Sequence, residues 1–135
     1  MDITIDTTAI DTATIAQELR IAASEAAQDY VNEWTRKTGG NQYGEPMYCG
    51  FAWVTVYPQF EHKGNTKLGK TERKEFTAVM AALGLKPDYT GKAYQLWNPS
   101  GWHGQSMDVK EAGATAAAKV LRKYGFTAYM GSRAD

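Results

Sequence analysis

The chain contains very little cysteine and no long apolar run. Cys49 is its one cysteine, so no disulfide can form within the chain, and a reducing compartment is its natural environment. No stretch of 18 or more consecutive apolar residues occurs, which argues against a membrane span. Residues 1–6 lack the basic start and the apolar centre of a secretion signal. We therefore expect a cytoplasmic protein that does not contact a membrane.

Side chains that bind metals or act as nucleophiles are also scarce. The two histidines, His62 and His103, are 41 positions apart, and neither has a cysteine or an acid at a spacing typical of zinc sites. Cys49 and His103 are candidates for a nucleophile and its base. However, Cys49 is expected to begin a strand, where no helix N-terminus or adjacent cation would activate its thiol. We expect no metal and no cofactor, and a non-enzymatic role is favoured over an enzymatic one.

The charges that are present are unevenly distributed, although their sum is zero. Residues 1–35 carry seven acids and one base, whereas residues 36–135 carry fourteen bases and eight acids. This asymmetry has two readings: the two segments complement each other within the fold, or a basic surface attracts partners that carry phosphate. The length of 135 residues and the 43% apolar content are typical of one globular domain, which we expect to span residues 1–135.

Apolar periodicity predicts an α+β fold in which three helices pack on a small sheet of three to four strands, mixed or antiparallel. The helices are expected at about 12–37, 71–84 and 108–124, and the strands at 48–57, 93–97 and 126–130. Residues 1–10 are either an edge strand or a loose arm, and residues 131–135 read as a polar tail. The first strand is apolar on both faces, which predicts a central strand covered on both sides. The expected buried face of the first helix is formed by Ile15, Leu19, Ala23, Ala26, Tyr30 and Trp34.

The segment from Gly64 to Thr71 fits the pattern G-x-x-x-x-G-K-[ST] of loops that hold nucleotide phosphates. Two features argue against nucleotide hydrolysis. Six residues separate the segment from the preceding strand, and the strands at 93–97 and 126–130 contain no acid that could hold Mg²⁺. Three readings remain: a capped helix with a solvated basic face, a helix N-terminus that binds phosphate without hydrolysing it, or a nucleotide hydrolase. The candidate ligand-binding residues of this segment are Lys63, Lys67, Gly69, Lys70, Thr71, Arg73 and Lys74.

The loop at 98–107 is the second candidate for a binding site. It brings an aromatic ring, an imidazole and an amide together in Trp102, His103 and Gln105. This content is typical of a small-molecule pocket or a base-stacking surface, and equally of a buried loop fixed in place by tryptophan. If the second and third helices begin at the same edge of the sheet, the two candidate segments would form one joint site.

Four phrases of the sequence, CGFAWV (49–54), NTKLGK (65–70), QLWNPS (95–100) and LRKYGF (121–126), resemble small proteins of tailed bacteriophages that are generally labelled hypothetical. The resemblance covers roughly residues 48–135, and it implies a phage accessory protein that acts in the bacterial cytoplasm. The expected function is binding of nucleic acid or another phosphate-bearing ligand through the lysine-rich helix N-terminus and the Trp102 loop. The alternatives are an inhibitor that contacts a host or defence protein, and a P-loop-like nucleotide-binding protein.

Overall fold

A computed structural model of the chain describes residues 11–135, so the expectation for residues 1–10 lies outside the described part. The helices are α1 (Thr12–Thr38), α2 (Lys67–Ala82) and α3 (Met107–Lys123). The strands are β1 (Gly50–Tyr57), β2 (Lys86–Pro87), β3 (Tyr94–Trp97) and β4 (Thr127–Ala134). These elements confirm the predicted α+β class. From residue 11 onward, no helix is long and apolar enough to cross a membrane.

The four strands form one antiparallel sheet in the order β2-β3-β1-β4. β1 is an interior strand of this sheet, as its apolar content predicts. Trp53 of β1 lies opposite Trp97 of β3 on one side and opposite Gly131 of β4 on the other. Because successive side chains of a strand point to opposite faces, this register places all the odd-numbered residues of β1, β3 and β4 on the same face of the sheet.

All three helices pack on the other face, which carries the even-numbered residues Ala52, Val54 and Val56 of β1. α3 lies directly against β1 and β4, and α1 packs mainly against α3. Among residues 11–135, no helix covers the face with odd-numbered residues, so the predicted second layer over β1 is not found in this part of the chain. The reason is that α1 buries its apolar stripe against α3 and adds no layer to the second face of the sheet. The largest fully buried side chains of this core are Ile15, Leu19, Met80, Leu83, Leu121, Val54 and Val56.

The predicted buried face of α1 is correct in its first half only. Ile15, Leu19 and Ala23 are buried, but the stripe continues every fourth residue through Ala27 and Val31 and leaves Tyr30 exposed. α1 approaches α3 closely at this point, because a Cβ added at Gly113 of α3 would lie 3.1 Å from the backbone oxygen of Ala23. Small side chains on both helices permit this contact, whereas the predicted Ala26 and Trp34 are half-buried and Tyr30 is exposed.

Two element boundaries differ from prediction for local reasons. α2 begins at Lys67 instead of residue 71, because the Thr66 hydroxyl accepts a hydrogen bond from the Gly69 N–H and caps the helix earlier. β4 continues to Ala134 through the predicted polar tail, because its backbone pairs with that of β1 as far as Gly50. In this extension the Ser132 hydroxyl donates a hydrogen bond to Glu111 of α3. The short strand β2 adds a fourth strand to the three that were placed from the sequence.

Candidate functional site

The lysine-rich segment, residues 63–74, lies beyond the C-terminal end of β1 and includes the first two turns of α2. Gly69, Lys70 and Thr71 of the phosphate-loop pattern are therefore inside the helix and not in a loop before it. Lys63, Lys67, Lys70, Thr71 and Lys74 are exposed to solvent. These side chains form a basic surface around the start of the helix.

The N-terminus of α2 is occupied by its own preceding loop. The Lys63 carbonyl oxygen accepts hydrogen bonds from the Thr66 N–H and hydroxyl, at 3.1 and 2.7 Å. The same oxygen sits so close to Gly69 that a Cβ there would overlap it. A phosphate cradle needs open space lined by free N–H groups, whereas here a carbonyl oxygen fills the space. The arrangement is that of a capped helix with a solvated basic surface.

Two side chains of α2 hold the loop at 58–66 in place. The Glu72 carboxylate accepts hydrogen bonds from the backbone N–H groups of Glu61 and His62, at 2.9 and 2.8 Å. These hydrogen bonds lower the pKa of Glu72, the N–H of Glu61 contributing most. The Arg73 guanidinium lies 4.2 Å above the Phe60 ring and donates hydrogen bonds to the backbone oxygens of His62 and Gly69. Arg73, a predicted ligand-binding residue, is thus engaged in folding contacts.

The Trp102 loop is fixed by Glu45. The Glu45 carboxylate accepts a hydrogen bond from the Trp102 indole N–H at 2.5 Å and another from the Gln105 backbone N–H at 2.7 Å. Trp102 is half-buried against a small cluster that joins α1 to α3. His103 is exposed and stacks on Trp102, with 5.5 Å between ring centroids. Most of the polar groups of this loop are therefore used within the fold.

The two predicted segments are not brought together. The Trp102 loop follows β3 and lies at the N-terminal end of β1, where Cys49 forms a β-bridge with Ser106. The lysine-rich segment follows the C-terminal end of β1. An eight-residue strand separates the two ends by about 23 Å at about 3.3 Å per residue. The condition for a joint site, that α2 and α3 start at the same edge of the sheet, is not met.

The sheet face that none of the helices α1–α3 covers carries a set of aromatic side chains that sequence reasoning missed as a site. We call it the open face, and Trp53 and Trp97 lie at its centre. Their rings stack with centroids 4.7 Å apart and an interplanar angle of 24°. Trp97 and Tyr129 expose 49% and 56% of their surfaces. The open face consists of Phe51, Trp53, Thr55, Tyr57, Lys86, Gln95, Trp97, Thr127, Tyr129, Gly131 and Arg133.

Both tryptophans are held in place by their neighbours. A Cβ added at Gly131 would lie 2.6 Å from the Trp53 indole nitrogen, so the missing side chain makes room for the ring to lie against β4. The Trp97 indole N–H donates a hydrogen bond to Gln95 Oε1 at 3.1 Å, and Gln95 Nε2 in turn donates to Thr55 Oγ1 at 3.4 Å. The exposed aromatic surface is therefore ordered before any ligand arrives.

The strands of the open face carry cationic and no acidic side chains, and Asp135 directly follows the last residue of β4. None of the four strands contains an aspartate or a glutamate, and their charged residues are Lys86 and Arg133. The Arg133 guanidinium lies 5.8 Å from the centre of the Phe51 ring, and that of Arg122 in α3 lies 5.7 Å from the centre of the Tyr129 ring. Cationic groups thus border the aromatic surface, which favours an anionic ligand with flat rings.

Metal and thiol chemistry find no support in the geometry of residues 11–135. They contain no cluster of three or more histidine, cysteine, aspartate or glutamate side chains that could hold a metal ion. The Cys49 thiol is exposed, and its hydrogen bond goes to the backbone oxygen of Met47 at 3.5 Å. No protein-family model matches the chain, and neither a curated protein nor a solved structure is similar to it.

Proposed function

We propose that the protein is a non-enzymatic binder of single-stranded nucleic acid and that the open face is its binding surface. The observation that carries the proposal is the stacked Trp53–Trp97 pair on a sheet face that no described helix covers. Unpaired bases stack on such aromatic surfaces in many proteins, including four-stranded sheets, and each stacked base is worth about 1–3 kcal/mol. In a duplex the base faces are already stacked on each other, so this surface favours a single strand.

Order and charge both support this function. Rings that are already fixed lose little conformational entropy when a base stacks on them. Trp97 is fixed by its hydrogen bond to Gln95, and Trp53 is fixed by packing against Gly131. The absence of acids from the strands removes a repulsion that the phosphate backbone would otherwise meet. The exposed lysines at 63–74 add positive charge at the C-terminal end of β1 and would attract the strand from a distance.

The test is a binding titration with fluorescently labelled oligo-dT and oligo-U at low salt, followed by fluorescence anisotropy. Trp97→Ala removes the most exposed part of the tryptophan pair and should weaken binding at least about tenfold. Tyr89→Ala is the matched control, because Tyr89 is a fully exposed (100%) aromatic residue on the β2–β3 loop and is not part of the open face. It should bind as the unchanged protein does. Comparison of the affinities for oligo-dT and oligo-U also shows whether DNA or RNA is preferred.

Equal binding by Trp97→Ala and the unchanged protein, or no binding at low salt, would contradict the proposal. If Lys67→Ala with Lys70→Ala abolishes binding and Trp97→Ala does not, the lysine-rich segment is the site, as the sequence predicted. Absence of binding would favour the second candidate function, contact with a host or defence protein. That candidate rests on the loop at 41–49, where three large apolar side chains, Tyr43, Met47 and Tyr48, are exposed near one end of the sheet.

A further inference from the structure

The two basic residues of the open face mark its opposite corners. Lys86 lies on the edge strand β2 and aligns with Gln95, two residues before Trp97 along β3. Arg133 lies on the other edge strand, β4, and aligns with Phe51, two residues before Trp53 along β1. The line that joins Lys86 to Arg133 therefore runs diagonally across the sheet and passes over the tryptophan pair.

The span of this diagonal follows from sheet geometry. Three strand spacings of about 4.8 Å separate β2 from β4. Along the strands, Lys86 lies level with Thr55 of β1 and Arg133 lies level with Phe51, and these two positions of β1 are four residues of about 3.3 Å apart. Together these give about 20 Å between the Cα positions of the two corners. Both side chains are long and flexible, so their charged groups can reach a strand that lies on the rings between them.

Both corner cations are available for a ligand. Among residues 11–135, neither Lys86 nor Arg133 takes part in an ion pair with a carboxylate. The contact of Arg133 is with the ring of Phe51, which orients the guanidinium over the open face without neutralising it. By contrast, Lys123 of α3 is paired with Glu18 at 2.6 Å.

We infer that a single strand crosses the open face along this diagonal, with its phosphates at Lys86 and Arg133 and the intervening bases on the Trp53–Trp97 pair. The inference rests on the proposed function and adds the path of the nucleic-acid strand and the residues that contact its phosphates. The cations fix the direction of the strand across the sheet, and the stacked rings bind whichever bases lie between them. Binding should therefore be tolerant of sequence and sensitive to salt.

The experiment measures the salt dependence of oligo-dT affinity for the variants Lys86→Gln and Arg133→Gln and for the double variant. Glutamine removes the charge and keeps much of the side-chain length, so the fold is disturbed little. Each single variant should reduce the magnitude of the slope of log K against log[salt] by about 0.7, the value for one phosphate contact on a single strand. The double variant should show the sum of the two changes, because the corners are too far apart to interact.

Lys92→Gln is the matched control, since Lys92 is exposed on the loop between β2 and β3, and its slope should be unchanged. Trp97→Ala should lower the affinity and leave the slope unchanged. If binding depends on Trp97 while the slopes of Lys86→Gln and Arg133→Gln stay at the wild-type value, the diagonal path is wrong and the proposed function stands. If binding does not depend on Trp97, the proposed function itself fails.

Discussion

Gly69 illustrates how a single residue can separate a phosphate loop from a capped helix. In a phosphate loop, glycines allow the backbone to approach the ligand. Here the space beside Gly69 holds the carbonyl oxygen of Lys63, which belongs to the turn that caps α2. The glycine thus serves the packing of the chain on itself, and its position in a sequence pattern carries no information about nucleotides.

We therefore expect Gly69→Ala to reduce the free energy of unfolding by about 1–3 kcal/mol, the usual cost of forcing atoms into a filled space. This loss has the opposite sign to the usual effect, because replacing glycine by alanine inside a helix normally raises the free energy of unfolding by about 1 kcal/mol. Urea denaturation followed by circular dichroism measures the difference.

Gly64→Ala is the control for this substitution. A Cβ at Gly64 would lie 3.1 Å from Arg73 Nε, so the guanidinium needs to shift by only a few tenths of an ångström and can keep its contacts with the loop. Its stability should stay within about 0.5 kcal/mol of the wild-type value. A Gly69→Ala protein as stable as wild type would mean that the space beside Gly69 is open after all.

At the scale of elements, the loop at 58–66 depends on a charged carboxylate of α2. Because hydrogen bonds from Glu61 and His62 lower the pKa of Glu72 in the folded chain, the ionised carboxylate stabilises the fold above its unfolded pKa. This contribution is lost as the pH falls through the lowered folded value. The stabilisation is therefore complete at neutral pH and disappears in the acid range, below the ordinary glutamate pKa of 4.5.

The variant Glu72→Gln tests this dependence through the Tm, measured from pH 7 down to pH 3. The wild-type protein should have the higher Tm at pH 7, and the difference between the two proteins should shrink as the pH drops below about 4.5. Glu25→Gln, an exposed position on α1, controls for the loss of one surface carboxylate. A difference that stays constant from pH 7 to pH 3 would show that the Glu72 charge does not contribute.

Local sequence patterns predicted these elements well where neighbouring residues decide the structure. The spacing of Phe76, Val79, Met80 and Leu83 places the buried face of α2 correctly. The start of the same helix was not predicted, because it depends on one hydrogen bond, from the Gly69 N–H to the Thr66 hydroxyl. The last four residues of β4 read as a tail, since polar residues form a strand only when a partner such as β1 supplies its backbone.

The open face was out of reach for a different physical reason. Phe51 and Trp53 alternate with aliphatic residues in the same way whether a second layer covers them or not. Only the tertiary arrangement, with α1 on α3, leaves them uncovered. Trp53 and Trp97 meet through strand pairing across 44 positions of sequence, a contact that no local pattern contains. The lysine-rich segment and the Trp102 loop were visible in the sequence because each is local.

At the scale of the whole molecule, the acids of α1 are concentrated in the part of the helix before Arg36. α1 lies on the side with the helices, and residues 11–35 carry five acids against one base. The strands behind the open face carry no acids. A polyanion would thus meet strands without acids on one side of the sheet and the acidic first part of α1 on the other, and electrostatic steering acts on the rate of association.

Reversing two remote charges of α1, in the double variant Glu25→Lys with Asp29→Lys, should therefore change how fast a single strand binds and not how long it stays. Both residues are exposed one helical turn apart on the outer helix, and the substitutions raise the net charge from zero to +4, two units at each position. Stopped-flow measurements at low salt should show an association rate constant higher by about two- to fivefold and an unchanged dissociation rate. The rate difference should vanish at high salt, where the Debye length is about 3 Å at 1 M. Dissociation slowed to the same extent as association is accelerated would mean that the strand touches α1, and the open face would then not be its binding surface.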